Sequence, residues 1–495
     1  MSLPFVPSVE ALVPPPDPVR SCEMLGALPY RLFLDSASRD PSLARYSFLT
    51  ADPVAVIRSR GSRTEWVEPL SGREHPVAGD PLSVIRGFLA PFASPGDPDL
   101  PPFQGGAAGF LTYDWGLELE RMRAPLHDDL GLDDVVMGIY DWVVAWDHAT
   151  SRAWLISTGI PEQQPAERKR RAQTRAAEVL DLLNASTPPA SSTLGTLVER
   201  SRSKDTPLKS HLINGWWDPR IAVRSLFTRD GYETAVQRVR DYICAGDIFQ
   251  ANLSQRFEAP LTETPWALYQ RVRTVSPTPF AAFLDFPEAV VLSASPERFL
   301  RVDPAGVVET RPIKGTRPRG LGPEHDAALG QALVESPKDR AENLMIVDLM
   351  RNDLSRVCAP GTVRVSELFA LEQYATVHHL VSTIVGQLAP GADALDLLKA
   401  AFPGGSITGA PKVRAMEIIA ELERTRRGVY CGSIAYWSVT GDLDSSVAIR
   451  TAVARNGRVY FSAGGGVVAD SDPAEEYQET LDKARGFIAA LAVPE

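Results

Sequence analysis

One short segment gathers cationic side chains around a single lysine. Residues 311–320 have the sequence RPIKGTRPRG, which places Lys314 among Arg311, Arg317 and Arg319. The prolines and glycines predict a tight loop, because proline fixes φ and glycine accepts positive φ. Crowding by like charge disfavours an ammonium ion, so Lys314 is a candidate for a neutral, nucleophilic amine. The alternative is a solvated basic loop with no chemical role.

Two later segments carry paired carboxylates on predicted helices. Each helix starts with a capping Ser or Asp followed by proline, at Ser336-Pro and at Asp472-Pro. Carboxylates three residues apart share a helix face, and two such faces would form an oxygen-only site with few protein ligands, which suits Mg²⁺. The alternative is two solvated faces. The pairs are Asp339 with Glu342 and Glu476 with Glu479.

Four further positions suit proton transfer or substrate binding. Glu297 follows the apolar run VVLSASP, where a strand gives way to a turn, and is either a catalytic acid or a surface carboxylate. Arg450 alternates with alanines in the predicted strand SVAIRTAV, so it requires an anionic partner. The turn 404–412 (GGSITGAPK) precedes a helix, whose N-terminus favours anions. The glycines of 463–466 allow backbone to approach a flat ring.

Three motifs together resemble one enzyme family. PIKGT followed by RPRG, AEN within KDRAENLMIVDLMRNDL, and EYQETLDKA are similar to segments of the chorismate-utilising enzymes. That family comprises anthranilate synthase component I, aminodeoxychorismate synthase component I, isochorismate synthase and salicylate synthase. The resemblance runs from about residue 231 to the C-terminus, with weaker echoes at residues 33–53. It implies an enzyme that binds chorismate and uses Mg²⁺.

The resemblance assigns roles to the acidic helices. It implies that Glu342 and Glu479 ligate the metal directly, while Asp339 and Glu476 act through water. Lys483 lies one helical turn after Glu479 and would meet a substrate carboxylate.

The resemblance also assigns the remaining groups around the substrate. Glu297 is expected to be the general acid that protonates the departing C4 hydroxyl. His379 stands where the anthranilate enzymes carry a histidine near the ring, whereas His378 is expected to be structural. The full set of expected substrate contacts is Gln250, His379, Ser406, Tyr430, Arg450, Gly466 and Lys483.

Two positions favour one branch of the family. Lys314 stands where anthranilate synthases usually carry alanine, and it resembles the aminodeoxychorismate branch, which leads to 4-aminobenzoate and folate. Gln250 stands where the water-activating isochorismate and salicylate synthases carry a lysine base, and an amide cannot remove a proton. Gln250 could equally be a merely hydrogen-bonded residue of a strand.

The branch implies amination of chorismate at C4 through a covalent bond to Lys314. No Gly-x-Cys-x-Gly-x-Gln element of a glutaminase is present, so ammonia is expected from a separate glutamine amidotransferase subunit or from solution. One alternative is anthranilate synthase component I, which aminates C2 and eliminates pyruvate. Another is a non-catalytic subunit that binds tryptophan or scaffolds a partner.

A tryptophan site is left open by the N-terminal strands. Anthranilate synthases hold tryptophan against a Leu-Glu-Ser element, and here the equivalent is Leu34-Asp35-Ser36. Residues 276–280 (SPTPF) depart from the Asn-Pro-Ser-Pro-Tyr wording of tryptophan-sensitive enzymes. Plain core strands are the alternative interpretation.

Composition excludes several function classes. The net charge of −11 and the pI near 5.3 provide no basic field for nucleic acid or an anionic membrane. Four well-separated cysteines without a CxxC pair argue against zinc and disulfide frameworks and fit a reducing, cytoplasmic location. No apolar run reaches the ~18 residues of a spanning helix.

The expected organisation has three parts: an N-terminal region at 1–184, a Ser/Thr/Pro-rich linker or insertion at 185–225, and a chorismate-binding catalytic domain at 226–495. Helices are predicted at 167–184 and 231–245. The sequence pattern shows mixed content without βα alternation. The resemblance implies an α+β fold of two interlocked lobes around large, mainly antiparallel sheets, with outer helices and the active site in the cleft between.

Overall fold

The protein builds two large antiparallel sheets, of 13 and 12 strands. A computed structural model of the chain describes residues 7–38, 43–188, 209–213, 221–374 and 377–492. The strands are β1 Ser8–Ala11, β2 Arg31–Asp35, β3 Tyr46–Thr50, β4 Ala55–Arg60, β5 Arg63–Val67, β6 Glu74–Val77, β7 Gly106–Leu111, β8 Val135–Tyr140, β9 Trp142–Asp147, β10 Arg152–Ser157, β11 His211–Leu212, β12 Arg224–Ser225, β13 Gln250–Pro260, β14 Phe280–Asp285, β15 Val290–Ser295, β16 Arg298–Val302, β17 Val307–Thr310, β18 Ile313–Pro318, β19 Arg364–Gln373, β20 Val377–Gln387, β21 Gly409–Ala410, β22 Ser433–Ser438, β23 Leu443–Val447, β24 Thr451–Arg455 and β25 Arg458–Val467.

The helices cover the outer faces of these sheets. They are α1 Pro18–Met24, α2 Pro81–Leu89, α3 Trp115–Leu119, α4 Pro165–Leu183, α5 Arg229–Cys244, α6 Pro265–Val275, α7 Pro323–Glu335, α8 Pro337–Ser355, α9 Ala394–Ala401, α10 Lys412–Glu423 and α11 Pro473–Leu491. Helices α5, α10 and α11 pack on the first sheet, and α7 and α8 on the second. The two helices predicted at 167–184 and 231–245 are confirmed as α4 and α5.

Alternating side chains divide the interior into layers. Phe48 and Val56 belong to the cluster between the two sheets, while their neighbours Leu49 and Ile57 face the helices outside. This alternation follows from the two-residue period of a strand. Both faces of each sheet are therefore buried, and the molecule is a helix–sheet–sheet–helix stack.

The N-terminal and C-terminal parts of the chain are woven into the same sheets. The first sheet has the order β1-β10-β9-β3-β2-β14-β15-β24-β25-β13-β12-β11, and its thirteenth strand, β21, pairs with β13 off this path. The second has the order β18-β20-β17-β16-β23-β22-β7-β8-β4-β5-β6, and its twelfth strand, β19, pairs with β20 off this path. Strand β2 pairs with β14, and β7 pairs with β22, so each sheet contains strands from both the N-terminal and the C-terminal part of the chain. The predicted α+β class with interlocked, mainly antiparallel sheets is confirmed.

The predicted linker at 185–225 lies mainly outside the described residues. Its described parts include His211–Leu212 and Arg224–Ser225, which pair with each other and extend β13 at the sheet edge. Within the described ranges, no helix is long and apolar enough to cross a membrane.

Candidate active site

Two glycines of β25, Gly465 and Gly466, lie beside carboxylates of the two acidic helices. A Cβ at Gly465 would come within 2.9 Å of Glu476 Oε2 and 3.1 Å of Glu479 Oε1, both on α11. A Cβ at Gly466 would come within 2.4 Å of Glu342 Oε1, on α8, and 1.8 Å of Gln250 Nε2. Carboxylates from both helices thus lie beside successive residues of β25. The predicted meeting of the two acidic faces in one metal site stays a prediction.

The caps predicted from sequence set where each helix begins. The Ser336 side chain accepts a hydrogen bond from the backbone N–H of Asp339, and Pro337 is the first residue of α8. The Asp472 side chain accepts from the backbone N–H groups of Ala474 and Glu475 at the start of α11. Each cap satisfies helix donors that otherwise lack partners, and it places the two pairs of carboxylates in the first two turns.

Lys314 and Gln250 converge on Glu342. The Lys314 ammonium lies 2.9 Å from Glu342 Oε1, and Gln250 donates to the same oxygen over 2.6 Å. Lys314 belongs to β18 of the second sheet, whereas Gln250 opens β13 of the first. The side chains therefore meet in the cleft between the sheets. Gln250 is 1% exposed and its carbonyl oxygen has no hydrogen-bond partner, so the amide retains an acceptor for a ligand.

The expected environment of Lys314 is corrected in two respects. The segment 313–318 is a strand that pairs with β20, and not the predicted loop. Its pairing is interrupted by a bulge between Ile313 and Thr316 and then resumes. Glycine at 315 fits this bulge, since its φ is +86°.

The arginines around the lysine are also neutralised. Three carboxylates pair with them: Arg311 with Glu372, Arg317 with Asp339, and Arg319 with Asp326. Like-charge crowding is thus absent. Burial lowers the pKa of Lys314, but the adjacent Glu342 carboxylate outweighs burial, and the net pKa is raised. The predicted neutral amine is contradicted by the raised pKa.

Lys483 of α11 pairs with Glu479 as Lys314 of β18 pairs with Glu342. Its ammonium lies 2.6 Å from Glu479 Oε1 and donates to the Gly464 carbonyl over 2.8 Å. Glu476 is held by Ser471, whose hydroxyl donates to Oε1 over 2.7 Å, while Oε2 is buried without a partner. Burial raises the pKa of Glu476, whereas Lys483 lowers the pKa of Glu479 against the effect of burial.

Glu297 lies between β15 and β16, at the junction of the two sheets. It is 4% exposed, and Ser406 donates to its Oε1 over 2.6 Å. Burial raises its pKa to about 7, opposed by the Ser406 hydrogen bond and the charge of Lys314. A carboxyl that is protonated near neutrality can serve as a general acid. The surface-carboxylate alternative is therefore excluded for Glu297.

His379 and Arg450 line the same region. The His379 Nδ1 lies 2.9 Å from Thr316 Oγ1, and its buried Nε2 has no hydrogen-bond partner. Burial, followed by the charge of Arg450, lowers the pKa of His379 to about 3, so the ring is neutral. His378 pairs with Asp326 over 2.9 Å, and its structural role stays a prediction.

Arg450 does not lie within a strand as predicted. It stands between β23 and β24 with φ of +47°, and its carbonyl accepts from Ala294. Burial alone lowers its pKa, and among the described residues no carboxylate pairs with it. A half-buried guanidinium without a carboxylate partner is suited to binding an anionic ligand.

Tyr430 is buried beside Arg427 and Cys431, with its ring centroid 5.9 Å from the Arg427 guanidinium. Burial raises the pKa of its hydroxyl well above the ordinary value. Its expected contact with substrate stays a prediction.

The carboxylates of α8 and α11 are ligands of the kind that Mg²⁺ prefers. As placed, the described residues contain no group of three or more His, Cys, Asp and Glu side chains that could hold a metal ion. Glu342 and Glu479 are each paired with a lysine. The donors of these four side chains are nevertheless all oxygen, and the Glu476 Oε2 atom is buried without a partner. This set fits a small hard cation.

Three residues at the site were missed by sequence reasoning. Thr316 orients His379. Asn343, inside the AEN motif, donates to the Leu380 carbonyl and accepts from Ser382, which ties α8 to β20. A buried asparagine between two acidic positions was the available signal. Thr316 had none, because its contact arises from pairing between distant strands.

The proposed tryptophan element is part of the core. Asp35 is the last residue of β2, and it is buried against Tyr269 and Arg273 of α6. Residues 38 and 278 are joined by a backbone hydrogen bond. The two segments that differ from the anthranilate synthase motifs, 34–36 and 276–280, therefore lie close together. Tryptophan binding stays a prediction.

Fold and site together define a class of enzymes. The model of the family described as chorismate binding enzyme matches residues 37–489. The crystal structure of anthranilate synthase component I from Streptococcus pneumoniae TIGR4 is similar with a TM-score of 0.74 and 33% identity, covering 90% of this chain and 92% of that chain. The chain belongs to the chorismate binding enzyme family.

Two groups of relatives share nearly the whole chain. Aminodeoxychorismate synthase component 1 of Klebsiella aerogenes is 41% identical over 469 residues, which cover 94% of this chain and 95% of the relative. Anthranilate synthase component 1 of Pseudomonas aeruginosa is 38% identical over 473 residues, which cover 95% of this chain and 92% of the relative. The resemblance stated from the motifs is confirmed.

Proposed function

We propose that this chain aminates chorismate at C4 and produces 4-amino-4-deoxychorismate, the activity in the name of its aminodeoxychorismate relatives. The observation that carries the proposal is the position of Lys314, which is buried in the cleft within 2.9 Å of Glu342. It shares the site with a carboxyl of pKa about 7, Glu297. A nucleophile and an acid are thereby close enough for their charges to interact.

Substrate carboxylates would be held by cations and hydroxyls already in place. Arg450 lacks a carboxylate partner in the described chain, Lys483 donates to the Gly464 carbonyl, and Ser406 donates to Glu297. The ends of the Gln250 and Glu342 side chains fill the space beside Gly466, and they would move aside when a flat ring binds there. The Gln250 amide offers hydrogen bonds but no base, which disfavours attack by water.

The proposed reaction conserves atoms through a lysine adduct. The Lys314 amine adds to C2, the ring double bond shifts, and the C4 hydroxyl leaves as water with the proton of Glu297. Ammonia then adds at C4, the double bond returns, and the C2–nitrogen bond to Lys314 breaks. A neutral amine is required for attack, so the ion pair with Glu342 must first open.

Glu342 and Glu479 would hold Mg²⁺ directly, with Asp339 and Glu476 acting through water. When bound, the ion would supply positive charge that neutralises the carboxylate of the substrate. Glu342 cannot serve as a metal ligand and as the partner of the Lys314 ammonium with the same oxygen.

The lysine adduct can be detected directly. Protein incubated with chorismate and Mg²⁺ but no ammonia is expected to gain the mass of dehydrated chorismate on the Lys314 peptide, measured by mass spectrometry after digestion. Lys314→Ala should lose that adduct and most 4-amino product. Lys399→Ala, which removes an exposed lysine paired with Asp80, is the matched control and should keep both. Wild-type formation of 4-amino product by Lys314→Ala would refute the covalent role.

Product identity separates the proposed function from its main alternative. With chorismate, Mg²⁺ and ammonium, the protein should yield 4-aminobenzoate only after aminodeoxychorismate lyase is added. Fluorescent anthranilate formed without the lyase would instead support C2 amination. That alternative is motivated by the 38% identity to an anthranilate synthase component 1. No turnover at any ammonium concentration would favour a non-catalytic subunit.

The metal assignment is tested by binding. Glu342→Gln and Glu479→Gln are each expected to abolish Mg²⁺ binding in calorimetry while circular dichroism stays unchanged. Asp339→Asn and Glu476→Gln should weaken binding by only ~10–100-fold, as for groups that act through another ligand. Full Mg²⁺ affinity in Glu342→Gln would show that the ion lies elsewhere.

The partner and the location follow from the same proposal. Ammonia would come from a separate glutamine amidotransferase subunit in the cytoplasm. The supporting observations are that the relatives are named component 1 and that all four cysteines are free thiols.

A further inference from the structure

A buried ion pair outside the expected site touches three of the segments that form it. Glu423 is the last residue of α10, and Arg427 follows four residues later. Arg427 donates to both Glu423 oxygens, over 2.9 and 2.7 Å, and the two side chains are 3% and 6% exposed. None of the catalytic roles described above uses either residue.

The first segment held by this pair is the turn that carries Ser406. Arg427 donates to the Ile407 carbonyl over 3.1 Å. Ser406, the preceding residue, donates to Glu297. The position of the Ser406 hydroxyl is thus fixed from one side by Arg427 and from the other by the proton donor itself.

The second segment is the start of β13. Arg427 also donates to the Asn252 carbonyl, and Glu423 Oε1 accepts from both the backbone N–H and the hydroxyl of Ser254, each over 2.8 Å. Asn252 is the register partner of Gly466. Gln250 lies two residues before it. The pair therefore anchors the strand that presents Gln250 to Glu342.

The third segment contains Tyr430. The Arg427 guanidinium lies 4.5 Å from the Tyr113 ring centroid and 5.9 Å from that of Tyr430. A guanidinium that makes four hydrogen bonds and packs between two rings has a single well-defined position. It lies where the chain segments of Ser406, Gln250 and Tyr430 come together.

We propose that Arg427, oriented by Glu423, is a positioning residue for the proton donor Glu297 and the substrate-binding turn around Ser406. The inference rests on the proposed site chemistry, but it concerns chorismate binding and proton transfer whether C2 or C4 is aminated. The competing explanation is that the pair only stabilises the fold.

The chain contains a matched control for that explanation. Arg31 and Asp285 form another buried pair, 2.9 Å apart and 4% and 7% exposed. Arg31 also donates to a backbone carbonyl, that of Cys22, over 2.7 Å, and lies 5.5 and 5.4 Å from the ring centroids of Trp266 and Phe283. No residue of the candidate site is among these contacts.

The experiment compares Arg427→Lys with Arg31→Lys in the full chain. Lysine keeps the charge but cannot make the forked set of hydrogen bonds. Both variants should unfold at lower temperature than wild type. Only Arg427→Lys should lower kcat for chorismate consumption, by ~10–100-fold as for second-layer groups, with a smaller change in KM.

The pH profile provides a readout that a purely structural role does not move. The groups facing Glu297 are Lys314, Lys483, Ser406 and Cys431. Because the Ser406 hydrogen bond holds the Glu297 pKa down, its loosening should shift the alkaline limb of activity to higher pH in Arg427→Lys and not in Arg31→Lys. Chorismate affinity measured by calorimetry should also weaken in Arg427→Lys and not in Arg31→Lys. This binding measurement does not require knowing which product the enzyme forms.

Unchanged kcat, pH profile and chorismate affinity in Arg427→Lys, with a loss of stability equal to that of Arg31→Lys, would overturn the proposal. If Arg427→Lys does not fold, Glu423→Gln replaces it, since glutamine keeps the shape and the oxygen that accepts from Ser254. A folded Glu423→Gln variant with wild-type kcat and pH profile would overturn the proposal equally. Anthranilate as the wild-type product would refute the proposed function and leave this comparison intact.

Discussion

At the scale of single residues, Glu297 shows how burial creates reactivity. The sequence marks only a glutamate at the end of an apolar strand. In the fold it is 4% exposed, it accepts a hydrogen bond from the Ser406 hydroxyl, and it lies within range of the charges of Lys314 and Lys483. Desolvation outweighs these favourable interactions, and the pKa rises to about 7. A carboxyl in that state is protonated in part of the neutral range, as a general acid requires.

Replacing Glu297 by Gln should separate chemistry from folding. The amide keeps the shape and can still accept from Ser406, but it has no proton to transfer, so kcat should fall by ~10²–10⁴-fold. In the wild type, activity should decline as pH rises through about 7, because the acid loses its proton. Steady-state rates of chorismate consumption between pH 6 and pH 9 measure both effects.

The stability of the same variant has a defined sign. The folded pKa of Glu297 is raised from 4.5 to about 7, so the folded state binds this proton more tightly than the unfolded state. The resulting stability is present below about pH 4.5 and is lost as pH rises through about 7. The unfolding temperature of Glu297→Gln relative to wild type should therefore be higher at pH 8 than at pH 5. An equal difference at both pH values would contradict the burial argument.

At the scale of elements, strand β25 gives neighbouring glycines different functions. An added Cβ at Gly466 meets the ends of two flexible side chains, Gln250 and Glu342, which can move aside. An added Cβ at Gly464 meets the Leu253 carbonyl at 2.3 Å, and that backbone belongs to the paired strand β13. Side-chain ends move more easily than the backbone of a paired strand. Substitutions at the two positions should therefore have different effects on stability and activity.

Gly466→Ala should therefore remain folded and lose activity, whereas Gly464→Ala should lose stability. The expected pattern is a near-native unfolding temperature with a large fall in kcat/KM for Gly466→Ala, and a lowered unfolding temperature for Gly464→Ala. Gly322→Ala is the control, since nothing lies within 4 Å of its added Cβ. Thermal unfolding and chorismate consumption distinguish the three variants. Wild-type activity in Gly466→Ala would show that its side of the cleft is not used.

At the scale of the whole molecule, the site exists only because two sheets enclose it. Lys314 comes from the second sheet, Gln250 and Gly466 from the first, and Glu297 from the junction between them. Strands of the N-terminal region complete both sheets, through β2 against β14 and β7 against β22. The catalytic segment consequently depends on residues that take no part in the chemistry.

A fragment comprising residues 226–495 is expected not to fold independently. It would leave β14 and β22 with unpaired edges and would expose the cluster between the sheets. Size-exclusion chromatography should show aggregation, and thermal scans should show no cooperative transition, in contrast to the full chain. A monomeric fragment with a sharp unfolding transition would contradict this view of the fold.

The sequence by itself determined the local features of this protein. The caps at Ser336 and Asp472, the helices α4 and α5, and the acid at the end of β15 follow from chemistry within a few residues. The three motifs also determined the family, which the whole-length similarity confirms. Local hydrogen bonding and side-chain period are encoded in neighbouring residues, so they can be inferred without the fold.

Only the tertiary structure decided the charge state and partners of the site. The sequence places three arginines beside Lys314, but carboxylates 7, 22 and 61 positions away, on other elements, pair with each of them, while Glu342 raises the pKa of the lysine. The strand expected for Arg450 breaks at that residue. The importance of Arg427 likewise depends on carbonyls 20 and 175 positions away. Electrostatic interactions act through space, and the distances that set them are fixed only when the sheets close.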